Sequence, residues 1–317
     1  MKALSVVSED FGTIAGVMLR AFGVSALIVA GAVLLLCFEE VLCARIQMRP
    51  RRGFSAFFVD PVKLFLKNTV VPDGAKKKVF IAAPVFAVSV ALFYFFLLPF
   101  DPQMALQPES GMLYLTTLST IGVYAFVVGA WSGGSRFTFF GAMRMLAQIL
   151  SCQLVLAFTV ACLLMTANGG KSGMWYVFPH FPLFVLFLLC AAMITAQSPF
   201  RSPKAMRGLS SGLYAEYGGW LFWLSETGET LNRLLLSVMA VYLFFDGTAA
   251  PFGITALPPF AWLTVKTAAV VFFMTLLRLG LSDCRTDSLT SFSYRVLLPF
   301  AAGWTMLTAG VLLVAEG

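Results

Sequence analysis

The sequence predicts an all-α, polytopic integral membrane protein of about eight transmembrane helices, on three observations. Of its 317 residues 59% are hydrophobic and 12% charged, where a soluble domain carries about a quarter charged residues. The apolar surplus is bulky, with 32 Phe and 6 Trp. The charges cluster in connections between long apolar runs, not along amphipathic faces. The 26 Gly follow no period and the 6 Cys are few, which excludes a collagen-like, disordered or disulfide-stapled chain.

A membrane helix needs about 20 mostly apolar residues, because a rise of about 1.5 Å per residue must cross about 30 Å of hydrocarbon. The first run, 13–38, meets that length, with Arg20 placed to snorkel to the interface and Glu39 and Glu40 closing the run. The N-terminus is not expected to be a signal peptide: Glu9 and Asp10 follow Lys2, Arg20 interrupts the apolar run, and no small-residue cleavage site ends it. The connection 39–78 has an apolar rhythm of its own, in Phe54, Phe57, Phe58, Val62, Leu64, Phe65 and Leu66. It predicts short interfacial helices, not a separate domain. Further spans follow at 79–99, 112–133, 143–166 and 176–197. The run 220–245 carries Glu226, Glu229 and Arg233, 261–281 carries Lys266 and ends at Arg278, and 294–314 closes the series. The whole of 1–317 reads as one membrane domain.

The chain has 22 Lys+Arg against 15 Asp+Glu, a net +7. Their placement explains the excess. The connections 39–78, 134–142, 198–219 and 282–293 hold most of the Arg and Lys, whereas 100–111, 167–175 and 246–260 hold only Lys171. By the positive-inside rule the basic connections are cytoplasmic and both termini lie outside. Nucleic-acid binding is not expected, since the charge is topological.

Little conventional catalytic chemistry is available. The cysteines make no CxxC pair, His180 is the only histidine, and no nucleotide-binding glycine motif follows a strand. The informative residues are charges inside spans, each costly at mid-bilayer. Glu226 and Glu229 are three apart and share a helix face, and Glu229 can pair with Arg233 at i,i+4. They fit either a self-neutralised packing patch or a proton-relay carboxylate. Lys266 and Arg278 are further buried-charge candidates, though Arg278, near the inner end of its span, equally fits a snorkelling side chain. Glu39 and Glu40, just before Arg45 and Arg49, fit a solvated ion-pair cluster or the mouth of a polar tunnel.

Five stretches carry a resemblance: Glu39-Glu-Val-Leu-Cys-Ala-Arg45-Ile-Gln-Met-Arg49-Pro50; Asp60-Pro-Val-Lys63 running to Pro72-Asp-Gly-Ala75; Leu113-Tyr114 through Gly122-Val-Tyr124 to Trp131-Ser132; Gly141-Ala-Met-Arg144 to Gln148 and Ser151; and Arg285-Thr-Asp287 followed by Arg295-Val-Leu-Leu-Pro299. In order and spacing the chain resembles the H-type membrane subunits of respiratory complex I, the NADH-quinone oxidoreductases, as a divergent member of their family. The resemblance implies a subunit at the heel of the membrane arm, facing quinone, docking peripheral iron–sulfur subunits and coupling electron transfer to proton translocation. It places Glu39, Arg45, Asp60, Lys63 and Phe200 at the quinone cavity. It matches Arg144 to the cytoplasmic cavity, and Glu216, Tyr217, Glu229, Arg278, Arg285 and Asp287 to the family's further charges and their neighbours; with Glu226, a candidate from its place in the span, these are the expected proton-path and buried-charge residues.

The departures stand out against that pattern. In the connection before the sixth span the family's acids are replaced by Ile194, Arg201, Lys204, Met206 and Gly208, and its arginine by Gln197. Gln153 stands where the family has a glutamate. Arg and Lys favour anions where carboxylates favour cations, and an amide carries no proton. The usual link between quinone cavity and proton channel is therefore expected to be cut or rerouted.

The resemblance implies no cofactor bound by this chain alone, and a quinone at a subunit interface. Its expected partners are other membrane-arm subunits, the peripheral iron–sulfur subunits and the bilayer of a bacterial cytoplasmic membrane. The chain carries no redox centre, so it is not expected to be an enzyme by itself. Two alternatives stay open: the anchor of a related hydrogenase or ferredoxin-linked complex that binds no quinone, and a purely structural adaptor.

Overall fold

The computed structural model describes residues 30–35, 37–48, 50, 56–97, 111–167, 180–195, 200, 216–250, 259–281 and 284–316. No β-strand occurs among them. Helix α1 runs through the described residues of 30–46. α2, Ala56–Leu66, is the short helix that the apolar rhythm of the first basic connection predicts. Then come α3, Lys77–Leu97, α4, Gly111–Ser132, and α5, Arg136–Ala167. They are followed by α6, Phe181–Ile194, α7, Gly219–Phe244, and α8, Pro259–Gly280. α9, Thr286–Phe292, passes through a π-helical turn, Ser293–Leu297, into α10, Leu298–Glu316.

Five stretches of described helix are long and apolar enough to cross a membrane: α3, α4, α5, α8 and the continuous α9–α10 run. α7 has 26 residues and so the length to cross, but Glu226, Glu229 and Arg233 lower its apolarity. α5 begins at Arg136, well before the expected 143. A charged or polar residue ends an apolar window without ending a helix, because backbone hydrogen bonding does not depend on the lipid boundary. The last span likewise starts at Thr286 and not at 294. α6 is a shorter apolar helix with Pro182 in its first turn, the one turn where proline's missing N–H costs nothing.

α7 is the central helix, packing against α2, α3, α4, α6 and α8. Leu231, Leu235, Leu236, Met239, Ala240, Val241 and Phe244 on it are fully enclosed. α5 packs against α4, α6, α9 and α10. The outward faces expose Phe86, Phe93, Phe137, Phe140, Phe273, Leu313 and Val314, which suits contact with acyl chains and not with water. Small residues let the helices close up. The Tyr94 hydroxyl donates to the Leu118 carbonyl over Gly122, where a Cβ would overlap the phenol oxygen.

Candidate functional site

Three helices converge on one carboxylate. Glu39 of α1 is 5% exposed, and its Oε2 accepts a hydrogen bond from Arg233 Nη1 of α7 at 2.7 Å. Arg278 Nη1 of α8 stands 3.9 Å from the same oxygen. Of the two sequence readings of Glu39, the solvated ion-pair cluster is thus replaced by a buried one, because the fold turns the end of α1 toward α7 and α8. The partner seen for Arg233 lies nearly two hundred positions away in the chain. Breaking such a pair leaves an uncompensated buried charge. Asn232 Oδ1 and Arg233 Nε are also buried, with no hydrogen-bond partner among the described residues. The result is a polar seam, with two guanidinium groups to one carboxylate, inside an apolar bundle. Within a low-dielectric surround such charges interact strongly.

Along α7 the seam is extended by Glu229, half-buried and one turn before Arg233, with Glu226 exposed another turn back. Nearer the start of α7, α2 lies against it, where the Phe65 and Trp223 rings are 4.7 Å apart. Arg45 and Lys63 are exposed. Asp60 lies on α2, its side chain outside the described residues. Gln197, Arg201, Lys204, Met206 and Gly208 also lie outside the described residues.

The other candidates are dispersed. Phe200 is buried, its carbonyl accepting from Gln148 Nε2 at 3.1 Å, while the same amide nitrogen donates to Met193 O at 2.7 Å. This pins the chain beyond α6 to the core of α5. Ile194 is buried at the end of α6. Gln153 Nε2 donates to Thr116 O of α4 at 3.2 Å, so this amide serves as a helix–helix tie. Arg144 is exposed on α5. Arg285 and Asp287 are 3.6 Å apart and both exposed, a pairing worth little to stability.

Glu216 and Tyr217 form a second focus, at the start of α7. The Tyr217 ring stacks on Phe80 at 4.2 Å and 7°, and its hydroxyl donates to Phe80 O at 3.2 Å. That hydroxyl sits over Gly129 of α4, where a Cβ would collide with it. Burial pushes the Tyr217 phenol well above its ordinary value. Gly219 takes φ +60 with the Lys67 carbonyl against its Cα, a close approach that only glycine allows. Glu216 Oε2 is buried without a hydrogen-bond partner among the described residues.

Lys266 belongs to neither focus. Its ammonium donates to the carbonyls of Phe245, Gly247 and Ala249 at 2.7, 3.0 and 2.7 Å. It therefore neutralises the carbonyl end of α7, where a cation is favoured. The role of Arg233 toward Glu39 and that of Phe80 toward Tyr217 escaped the sequence, because both partners are remote in the chain. The only signal was that Arg233 is polar in an apolar run.

A family model described as NADH dehydrogenase matches residues 19–309. The chain is 34% identical over 264 residues to the H subunit of the NADH-quinone oxidoreductase of Paramagnetospirillum magneticum, covering 80% of this chain and 77% of that protein. It is 33% identical over 270 residues to the corresponding H subunit of Rhodospirillum rubrum, covering 81% and 80%. It is also similar to the NADH-ubiquinone oxidoreductase chain 1 of Chondrus crispus, at 30% identity over 305 residues, covering 90% and 93%.

Proposed function

The chain belongs to the NADH dehydrogenase family, and on that premise we propose that it is the heel subunit of the membrane arm in a complex-I-type oxidoreductase. It faces a quinone substrate, docks the peripheral iron–sulfur subunits and couples electron transfer to proton translocation. Its basic connections lie in the cytoplasm and its termini outside, in a bacterial cytoplasmic membrane. The observation that carries this reading is the buried Glu39–Arg233–Arg278 seam. A chain that only filled lipid would not keep three buried or half-buried charges on three helices. A quinone needs hydrogen-bond donors for its carbonyls and an apolar, aromatic wall for its ring. Arg233 and the Phe65–Trp223 pair, both on the α1–α2–α7 side, have that chemistry.

Glu39→Gln and Arg233→Met in the assembled complex test this. NADH:quinone turnover and proton uptake by inverted vesicles should each fall by about tenfold or more, as about 1.4 kcal/mol already gives a tenfold change. The peripheral subunits should still co-purify. Turnover and pumping at the parental level would overturn the reading.

The replaced acids make the proton route differ from that of the relatives, with Glu216 and Glu229 as its remaining acids. Carboxylates restored at 153, 201 and 204 should change the protons moved per electron pair in reconstituted vesicles; an unchanged ratio removes the rerouting. The Gln153–Thr116 tie favours a second reading, a structural anchor in a related complex without quinone. Purified complex with no bound quinone and turnover insensitive to quinone-site inhibitors would select it.

A further inference from the structure

We propose that a groove between α5 and the α9–α10 junction is a binding site for an anionic glycerophospholipid, held by its headgroup phosphate. The groove has a volume of about 510 Å³ and is lined by Ala147 and Leu150 of α5, Thr290 and Ser291 of α9, and Tyr294 and Arg295 of the π-helical turn. Its size falls in the range of small-molecule sites, about 300–1,000 Å³. The lining combines an apolar wall, three hydroxyl side chains and one guanidinium, which matches acyl chains, glycerol ester oxygens and a phosphate.

The π turn builds the site. Ser293 and Leu297 point into the core, with Ser293 Oγ 3.7 Å from both Cys152 Sγ and Met193 Sδ. Tyr294, Arg295 and Val296 are exposed between them. The turn is thus anchored on its inner side and carries Tyr294 and Arg295 on its outer side. π turns of this kind occur frequently at functional sites.

Charge selects the occupant. Arg295 makes no ion pair or hydrogen bond among the described residues. Arg144, exposed and one turn before Ala147 on α5, makes none either. α5 and α9 both begin within basic connections, at Arg136 and Thr286. α5 is 32 residues, a length of about 48 Å, so its first turns reach beyond about 30 Å of hydrocarbon into the headgroup layer. Two guanidinium groups with no partner among the described residues, beside an apolar groove at that depth, meet lipid phosphates, and arginine binds phosphate through paired donors. A zwitterionic lipid brings its own cation to the same place, so a net-negative headgroup is favoured.

The test uses the full chain in detergent, titrated with dioleoylphosphatidylglycerol or dioleoylphosphatidylcholine and read by native mass spectrometry. The phosphatidylglycerol should be retained in preference. Arg295→Gln and Arg144→Gln should each weaken its retention about fivefold, the equivalent of about 1 kcal/mol per arginine. Lys78→Gln, an exposed cation on α3 away from the groove, should leave it unchanged. Equal binding of the two lipids, a parental affinity in Arg295→Gln, or equal losses in all three variants would overturn the proposal. Should Arg295→Gln fail to fold, Leu150→Phe, which narrows the groove and keeps its charge, must reduce retention about as much; parental retention there overturns it. Cross-linking of a cysteine placed at 291 to another subunit of the assembled complex would show that a protein, not a lipid, covers the groove.

Discussion

Burying a carboxylate in an apolar bundle costs several kcal/mol, and Glu39 offsets that cost through Arg233 at 2.7 Å and Arg278 at 3.9 Å. Glu39→Gln leaves two cations facing a neutral amide. The purified chain should lose about 3–5 kcal/mol of stability, read as a lowered thermal midpoint. Lys266 works the other way round, as a cation satisfying carbonyls. Lys266→Met removes the donor to three of them and should cost about 2–3 kcal/mol, since unpaired polar groups are penalised individually. It should leave quinone turnover per assembled complex unchanged, which separates it from Glu39→Gln. Tyr217→Phe keeps the stacking on Phe80 and loses one hydrogen bond, so a loss of about 1 kcal/mol is expected in the same melting experiment.

At the scale of elements, the glycines of α4 decide how closely helices approach. Gly129 lies under the Tyr217 hydroxyl, so Gly129→Ala forces α4 and the start of α7 apart. That substitution should destabilise by about 1–3 kcal/mol, as overpacking does. In the Tyr217→Phe background, where the clashing oxygen is gone, the penalty should shrink, a coupling that a double-mutant thermal-melt cycle measures. Equal penalties in both backgrounds would show that the contact does not limit packing. Helix existence was legible from the apolar runs, and so was α2, from its own short rhythm. Helix ends were less so. α5 and α9–α10 start well before the apolar windows, because a window sees hydropathy whereas the helix follows backbone hydrogen bonds.

For the whole molecule, the proposed orientation follows from the charge asymmetry of the connections. Cys284, beside Arg285, is half-buried, whereas Cys37, Cys43, Cys152, Cys162 and Cys190 are buried. A membrane-impermeant maleimide should therefore label Cys284 in inside-out vesicles and not in right-side-out ones. Labelling confined to right-side-out vesicles would reverse the orientation. The residues that the resemblance assigns to the cavity and to the proton path are placed unequally by the structure. Arg278 stands 3.9 Å from the Glu39 oxygen that Arg233 also reaches. Phe200 is fastened to Gln148 in the core, and Arg285 with Asp287 stays exposed at the surface.

Composition and spacing determined the all-α membrane class and the alternation of base-rich and base-poor connections, which depend on local hydropathy, and the quoted motifs in their order carried the resemblance to the family. They also marked Glu229 and Arg233 as charges inside a span, and Glu39 as a charge at the end of one. They did not reveal that Arg233 would meet Glu39, that Lys266 would cap α7, or that Gln153 would tie α5 to α4. Those pairings join segments far apart in the chain. Which charge finds which partner depends on how helices cross and rotate, and close packing of the whole bundle decides that, not any window of sequence.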